Sequence, residues 1–348
     1  MYDVITIGSA TTDVFIQTDG ANIASIESVN GMQSFMSYPY GAKTEISDFK
    51  MSLGGGAVNT ACNFAKLGMN VSAIVKTGDD DAKNRIKRTL EQFGVHTDDM
   101  VEQKGENTGF SVVLISFKGD RTVLAHRGPN SNIKIDDIDF EALKNSRWLY
   151  IAPLNGNSTE VLDKIAEFAE NNGVNTAINV GTSSIKKGKK YLSKILKTAE
   201  VVILNSEEAS MLTGIQVRPD SSEHKFSGEF IHPDMKEMLS VLKSTRAKIV
   251  IITDGKNGAY ALDDKYFYKC PEFPAKVVST LGAGDAFAST FVASFDRTGD
   301  METSLVYASI NSSSVVSAFD AHEGLLSFPE IKARSQNFPD YRIEKIER

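Results

Sequence analysis

Short runs of β-branched and apolar residues recur along this chain with longer amphipathic stretches between them, and that alternation leaves few folds open. Residues 4–7, 71–75, 148–151, 176–180, 201–204 and 249–253 are mostly continuous in hydrophobicity rather than alternating. Such runs suit strands buried on both faces of a parallel sheet. Helical periodicity fills the gaps, as in residues 80–93, 158–171 and 187–199, and the βαβ rhythm predicts a doubly wound α/β fold. At 348 residues the chain can bury a large core. No repeat and no linker rich in Gly, Ser or Pro divides it, so one domain over 1–348 is expected.

Charge narrows the partners. The chain carries 38 Lys and Arg against 45 Asp and Glu, a net −7, with no basic block able to track a phosphate backbone, so no nucleic-acid partner is expected. The start lacks the charged head and apolar stretch of a secretory signal, and no run approaches about 18 apolar residues, which predicts no membrane partner and a cytoplasmic protein. Cys62 and Cys270 lie far apart in apolar segments and read as packing residues rather than a redox or metal pair. The five histidines show no metal-ligand spacing.

Two regions break the βαβ rhythm, residues 14–51 and 110–127. In the second, residues 110–117 meet 122–125 across Lys118-Gly119-Asp120-Arg121, as in a hairpin. Strands outside the parallel sheet must cover something, and insertions at about 13–51 and 106–128 are expected to form a small β lid over a substrate cleft. Residues 216–234 are polar and hold two prolines, which predicts a long loop.

The strongest local signal is Ser279-Thr280-Leu281-Gly282-Ala283-Gly284-Asp285-Ala286-Phe287, followed by a helical run. Small residues at Gly282, Ala283 and Gly284 let a ligand approach the backbone, and the helix start turns its free N–H groups and dipole on an anion. Asp285, in the same turn, can take a proton from a hydroxyl that attacks phosphorus. As a bare first-turn acid Asp285 would only complement the helix dipole, but a Gly-Ala-Gly turn is more than a cap needs. A second cluster, Gly54-Gly55-Gly56-Ala57-Val58-Asn59, opens another helix; Asn59 can both donate to and accept from a ligand hydroxyl. It half-imitates the dinucleotide fingerprint but puts Asn59 where the third glycine belongs, and no Walker sequence occurs anywhere. Asp13, after the first strand, is either a hydroxyl ligand or a turn residue. Asn205 and Glu208 read alone as a helix cap, with a hydrated Mg²⁺ on Glu208 as the alternative. Thr253, Gly255 and Gly258 mark a strand-end turn that could frame a nucleotide.

Together, and in this order, these segments resemble the PfkB/ribokinase family of carbohydrate kinases over nearly the whole chain. Asp13 is similar to the family's substrate aspartate, Gly54 through Asn59 to its first signature, and Thr280 through Ala288 to its second. Asn205-x-x-Glu208 and Thr253-x-Gly255-x-x-Gly258 resemble its Mg-nucleotide elements, and Asn311 falls where members often touch adenine. The resemblance implies a three-layer αβα fold and transfer of the γ-phosphoryl group of ATP to a hydroxyl of a small sugar. Asp285 would be the base, Gly282, Ala283 and Gly284 the anion hole, and Asp13, Gly54, Gly55 and Asn59 the acceptor site. Asn205, Glu208, Thr253, Gly255, Gly258 and Asn311 would bind ATP, with Mg²⁺ near Glu208. It also implies a lid through which two copies pair as a homodimer.

Departures mark the limits of the match. Ser279 stands where many relatives carry an Asp that helps hold a monovalent cation, so no such cation is assigned. Asn179-Val180-Gly181-Thr182-Ser183 replaces the Asp-Pro-Asn-x-Arg of many sugar kinases, which keeps a nucleoside open as the acceptor. Lys43, Arg121 or Arg127 could meet an acceptor phosphate, or be plain lid charge. An idle relative that binds a sugar or nucleotide and regulates a partner would be expected to have a damaged base or anion hole; both are intact here.

Overall fold

Every side chain from Val4 to Ile7 is fully buried, as a central strand of a sheet covered on both sides requires. The computed structural model describes residues 1–28, 31–115, 121–217 and 231–348. Its strands are β1 (Tyr2–Gly8), β2 (Thr11–Gln17), β3 (Asn22–Ser28), β4 (Gly31–Ser37), β5 (Asp48–Gly54), β6 (Val71–Thr77), β7 (Val101–Glu102) and β8 (Gly109–Ile115). They continue with β9 (Arg121–His126), β10 (Ser146–Ile151), β11 (Asn175–Asn179), β12 (Val201–Asn205), β13 (Ile249–Thr253), β14 (Ala259–Leu262), β15 (Tyr266–Cys270) and β16 (Glu344–Glu347).

Ten strands form the main sheet in the order β16-β15-β14-β13-β12-β11-β10-β1-β6-β7. Pairing is parallel from β7 to β13 and antiparallel from β13 to the β16 edge. All six runs expected as strands lie in its parallel part, with Val180 just past the end of β11. Side chains alternate between two cores. Val4 joins the helices Gly56–Lys66, Asp81–Gln92, Ala283–Thr298 and Met301–Val316 on one face. Ile5 and Ile7 join Leu162–Asn172, Lys189–Thr198, Ser206–Thr213 and Pro233–Lys243 on the other. The result is three layers, αβα, as expected. Cys62 and Cys270 are both buried and unpaired.

Two local expectations fail. The stretch 158–171 begins as a 3₁₀ turn, Gly156–Val161, before the α-helix Leu162–Asn172; Gly156 at φ 54 starts the tighter turn and the Thr159 hydroxyl closes it by donating to the Gly156 carbonyl. The expected loop 216–234 ends early, because Pro233 at the first helical position and Asp234 belong to the helix Pro233–Lys243. Residues 218–230 of that stretch lie outside the described residues.

The regions that break the rhythm form a second, four-stranded sheet, β5-β2-β8-β9, and a separate β3-β4 hairpin. β8 and β9 pair antiparallel as expected; residues 116–120 of the expected hairpin lie outside the described residues. Asp13 pairs with Ser52 on one side and Ser111 on the other, so the three share one face. Phe49, Met51, Phe110 and Leu124 fall on the opposite face and are exposed.

Candidate active site

Gly282 opens the helix Ala283–Thr298 in the left-handed region, at φ 72. A Cβ there would be strained and would run into Ala321, so the turn needs glycine. The first-turn amides that follow, from Ala283 to Asp285, have no carbonyl one turn earlier to bond. Ala283 and Gly284 face a cavity of about 350 Å³ whose other walls include Thr253, Gly255, Gly258 and Thr280. That volume lies in the range of small-ligand sites. The glycine turn after β13 and the glycine-lined helix start thus look into one space.

Asp285 stands at the acceptor end of this start. Asn59 Nδ2 donates to Asp285 Oδ2 at 2.7 Å, and a Cβ on Gly56 would stand 3.8 Å from Asp285 Oδ1. The two glycine clusters, separated by more than two hundred residues, therefore meet at one carboxylate. Burial pushes the Asp285 carboxyl up to about 6, with Asn59 pulling the other way. Among the described residues Asn59 Oδ1 is buried with no hydrogen-bond partner, an unspent acceptor beside Asp285. Tyr150, wholly buried on β10, is raised well above its ordinary range by burial and then by the Asp285 charge, and stays neutral behind it.

Asp13 is 8% exposed. Ser111 Oγ donates to its Oδ1 at 2.5 Å, and its Oδ2 lies where a Cβ on Gly54 would stand, so only glycine lets β5 pass this carboxyl. Burial raises the Asp13 carboxyl above the usual range, against the Ser111 and Thr11 hydrogen bonds. Gly55 lies at φ 96 against the Ser9 carbonyl, and its own carbonyl accepts from Asn59 N at 2.9 Å. Close contacts thus tie Asp13 to Gly54, and Gly55 through Asn59 to Asp285.

Asn205 and Glu208 form a reciprocal cap on the helix Ser206–Thr213: Glu208 N donates to Asn205 Oδ1 at 2.8 Å and Asn205 N to Glu208 Oε2 at 3.2 Å. Burial raises the Glu208 carboxyl above its ordinary value. Thr182 Oγ1 donates to Oε1 at a long 3.4 Å, so a carboxylate with about four lone-pair sites keeps capacity for water-borne hydrogen bonds. Neither residue lines the cavity, but Asn205 pairs with Thr253 across β12 and β13, which sets the cap beside its wall. Among the described residues no group of three or more His, Cys, Asp or Glu side chains is arranged for a metal ion.

Asn311 is placed otherwise than expected. It is fully buried, donates to Asn63 Oδ1 and Thr290 Oγ1 at 2.9 and 2.7 Å, and accepts from Leu326 N at 2.9 Å. Its side chain is engaged in holding three segments together and does not line the cavity. The same helix presents Ser309, Ser312, Ser313 and Val316 to the cavity instead, spaced i, i+3, i+4 and i+7 along one stripe. That periodicity of small residues was the available signal. Phe273, Ala275 and Val277 supply the apolar wall, from a segment with no motif.

A family model described as pfkB family carbohydrate kinase matches residues 20–326. A 5-dehydro-2-deoxygluconokinase of Listeria monocytogenes is 26% identical over 340 residues, covering 95% of this chain and 95% of that one. Ribokinase of Arabidopsis thaliana, solved with ribose and ATP, superposes with a TM-score of 0.75 at 19% identity over 95% of this chain and 98% of that one. An E. coli protein in complex with ATP and Mg²⁺ gives a TM-score of 0.76 at 17% identity over 97% of this chain and all of the other. The match over most of the length, on a fold that brings both glycine clusters to one carboxylate, means that this chain belongs to the PfkB family of carbohydrate kinases.

Proposed function

We propose that this kinase transfers the γ-phosphoryl group of ATP to a hydroxyl of a small sugar, with Asp285 as the base. The observation that carries this reading is the position of Asp285, joined to Asn59 by a hydrogen bond and seated on the helix start that walls the 350 Å³ cavity. The nucleotide would lie in that cavity with its phosphates toward Ala283 and Gly284, and the acceptor between Asp285 and the Asp13 face of the small sheet. A carboxyl near 6 is mostly ionised at pH 7 and still basic enough to take the hydroxyl proton as the oxygen attacks phosphorus. The free amides of the first turn would stabilise the charge on the migrating group. Glu208, with Asn205 orienting it, is the residue fitted to hold a hydrated Mg²⁺, which when bound neutralises phosphate charge.

The small sheet acts in this reading as a lid that excludes water, so that ATP is not hydrolysed while no acceptor is bound. Its outer face exposes Phe49 at 58% and Leu124 at 58%, apolar area that fits pairing of two copies through their lids. Among the described residues no helix is long and apolar enough to cross a membrane; we place the enzyme in the cytoplasm, where ATP is available. A nucleoside acceptor is the second reading, favoured by the 179–183 segment. ADP release over a panel of sugars and nucleosides tests both: turnover with sugars supports the first, turnover confined to nucleosides the second, and none with either defeats the kinase reading.

A further inference from the structure

The face of the small sheet that carries Asp13 also carries a lysine. Lys50 lies opposite Phe15, two pairs beyond Asp13 and Ser52 in the β2–β5 register, so its side chain shares their face, about 6.6 Å further along the strand. Its Nζ stands 4.2 Å from the centre of the Phe319 ring, and Phe319 packs edge-on against Phe15 at 5.1 Å. Two residues on, Ala321 closes against Gly282. Contacts therefore run without a gap from the Lys50 ammonium through this segment to the start of the anion hole. Among the described residues no carboxylate pairs with Lys50; its partner is the aromatic face of Phe319.

The charge on this face matters because the acceptor path is otherwise acidic. Asp13 and Asp285 bracket it, and an acceptor carrying its own negative charge would be repelled by both unless a cation offset them. A neutral sugar needs no such cation. On the kinase reading, an acceptor that runs from Asp285 along the Asp13 face would extend toward Lys50, which lies about 6.6 Å beyond Asp13 on that face. The other basic candidates are less well placed: Lys43 lies in an exposed loop outside the strands, and Arg127 is exposed beyond the end of β9.

We infer that the acceptor is an acidic sugar, bearing a carboxylate or phosphate at the end away from the hydroxyl that is phosphorylated, and that Lys50 binds that group. The inference rests on the kinase reading above and adds the substrate class to it. The test compares ATP-dependent ADP release with neutral aldoses and ketoses, with aldonates and deoxy-ketoaldonates, and with sugar monophosphates, for the wild type, Lys50→Met and Lys50→Arg. The wild type is expected to favour one acidic group of acceptors, and the preferred arm tells carboxylate from phosphate. Lys50→Met, which keeps the apolar stem over Phe319, is expected to raise KM for that acceptor about 10- to 100-fold, the range for losing a contact to a charged group. Its kcat and its KM for neutral sugars should stay close to wild type, and Lys50→Arg should recover most of the loss. A wild type that prefers neutral sugars overturns the inference, as does a Lys50→Met enzyme that loses acid and neutral acceptors alike; the kinase reading survives either result. No ADP release with any acceptor would bring down both.

Discussion

The proposed nucleotide side and the proposed acceptor side of this cleft are built by opposite means. The 350 Å³ cavity is shaped by turns of the main sheet, where Gly255, Gly258, Ala283 and Gly284 bring backbone to the ligand. The acceptor side is shaped by side chains that strand register collects from distant segments: Asp13, Ser52 and Ser111 meet across three strands. A phosphate can be held by backbone N–H groups, which any non-proline residue supplies, whereas a sugar has to be read by side chains. The arrangement lets acceptor choice change without disturbing the phosphate cradle.

The sharpest way to break this division is at Asp285, the one residue both sides use. Asp285→Asn is expected to lower kcat by about 10²-fold or more, the size of a lost general base, while ATP binding by calorimetry stays near wild type. Stability should move the other way. The folded carboxyl near 6 lies above its unfolded value near 3.9, so wild-type stability falls as pH rises from about 4 to 6 and is flat above. The Asn variant escapes that cost and should unfold later at pH 7, by on the order of 2 kcal/mol, with the gap closing below pH 4. A variant that keeps wild-type turnover removes Asp285 from the chemistry.

Gly282→Ala tests whether the cradle is backbone-made. With φ at 72 and Ala321 in the way of a Cβ, the substitution should cost about 2 kcal/mol in denaturant unfolding and weaken ATP binding together. If stability falls and ATP affinity holds, the helix start is not the phosphate site.

Asn59→Ala is the finer probe, since it alters the base without removing it. Loss of the donor that lowers the Asp285 carboxyl should move the acid limb of kcat/KM above its wild-type position near pH 6. A drop of about 10-fold at pH 7 is expected with it, as for one lost hydrogen bond to a charged group. An unmoved limb would mean that the bond in the resting enzyme does not set the working pKa.

The same division explains how much could be read in advance. The Gly282–Asp285 segment was legible because its requirements are local: a left-handed glycine, small neighbours and an acid in the first turn. Its bond to Asn59 joins residues 226 positions apart; both ends could be named, but not their contact. Asn311 misled because position in a helix does not tell which way a residue faces, and here the neighbouring positions 311 and 312 face a buried network and the cavity wall respectively. Lys50 was passed over because its part of β5 carries no motif, and only the register against β2 puts it on the same face as Asp13. The six buried strands were legible since continuous β-branched runs have few other uses.

The smallest effect on the fold is expected on the outer face of the small sheet, where Phe49 and Leu124 point away from Asp13. Both are more than half exposed, so Phe49→Glu with Leu124→Glu should shift the stability of an isolated chain by no more than about 0.5 kcal/mol each. The same change would set like charges against each other across paired lids, so sedimentation should show a dimer for the wild type and a monomer for the double variant. If the lids do pair, the neighbour stiffens the strands that hold Asp13, and the monomer should show a higher KM for the acceptor with an unchanged KM for ATP. A double variant that stays dimeric would place any interface elsewhere, and one whose ATP and acceptor constants rise together would mean that the two sides of the cleft are less independent than their construction implies.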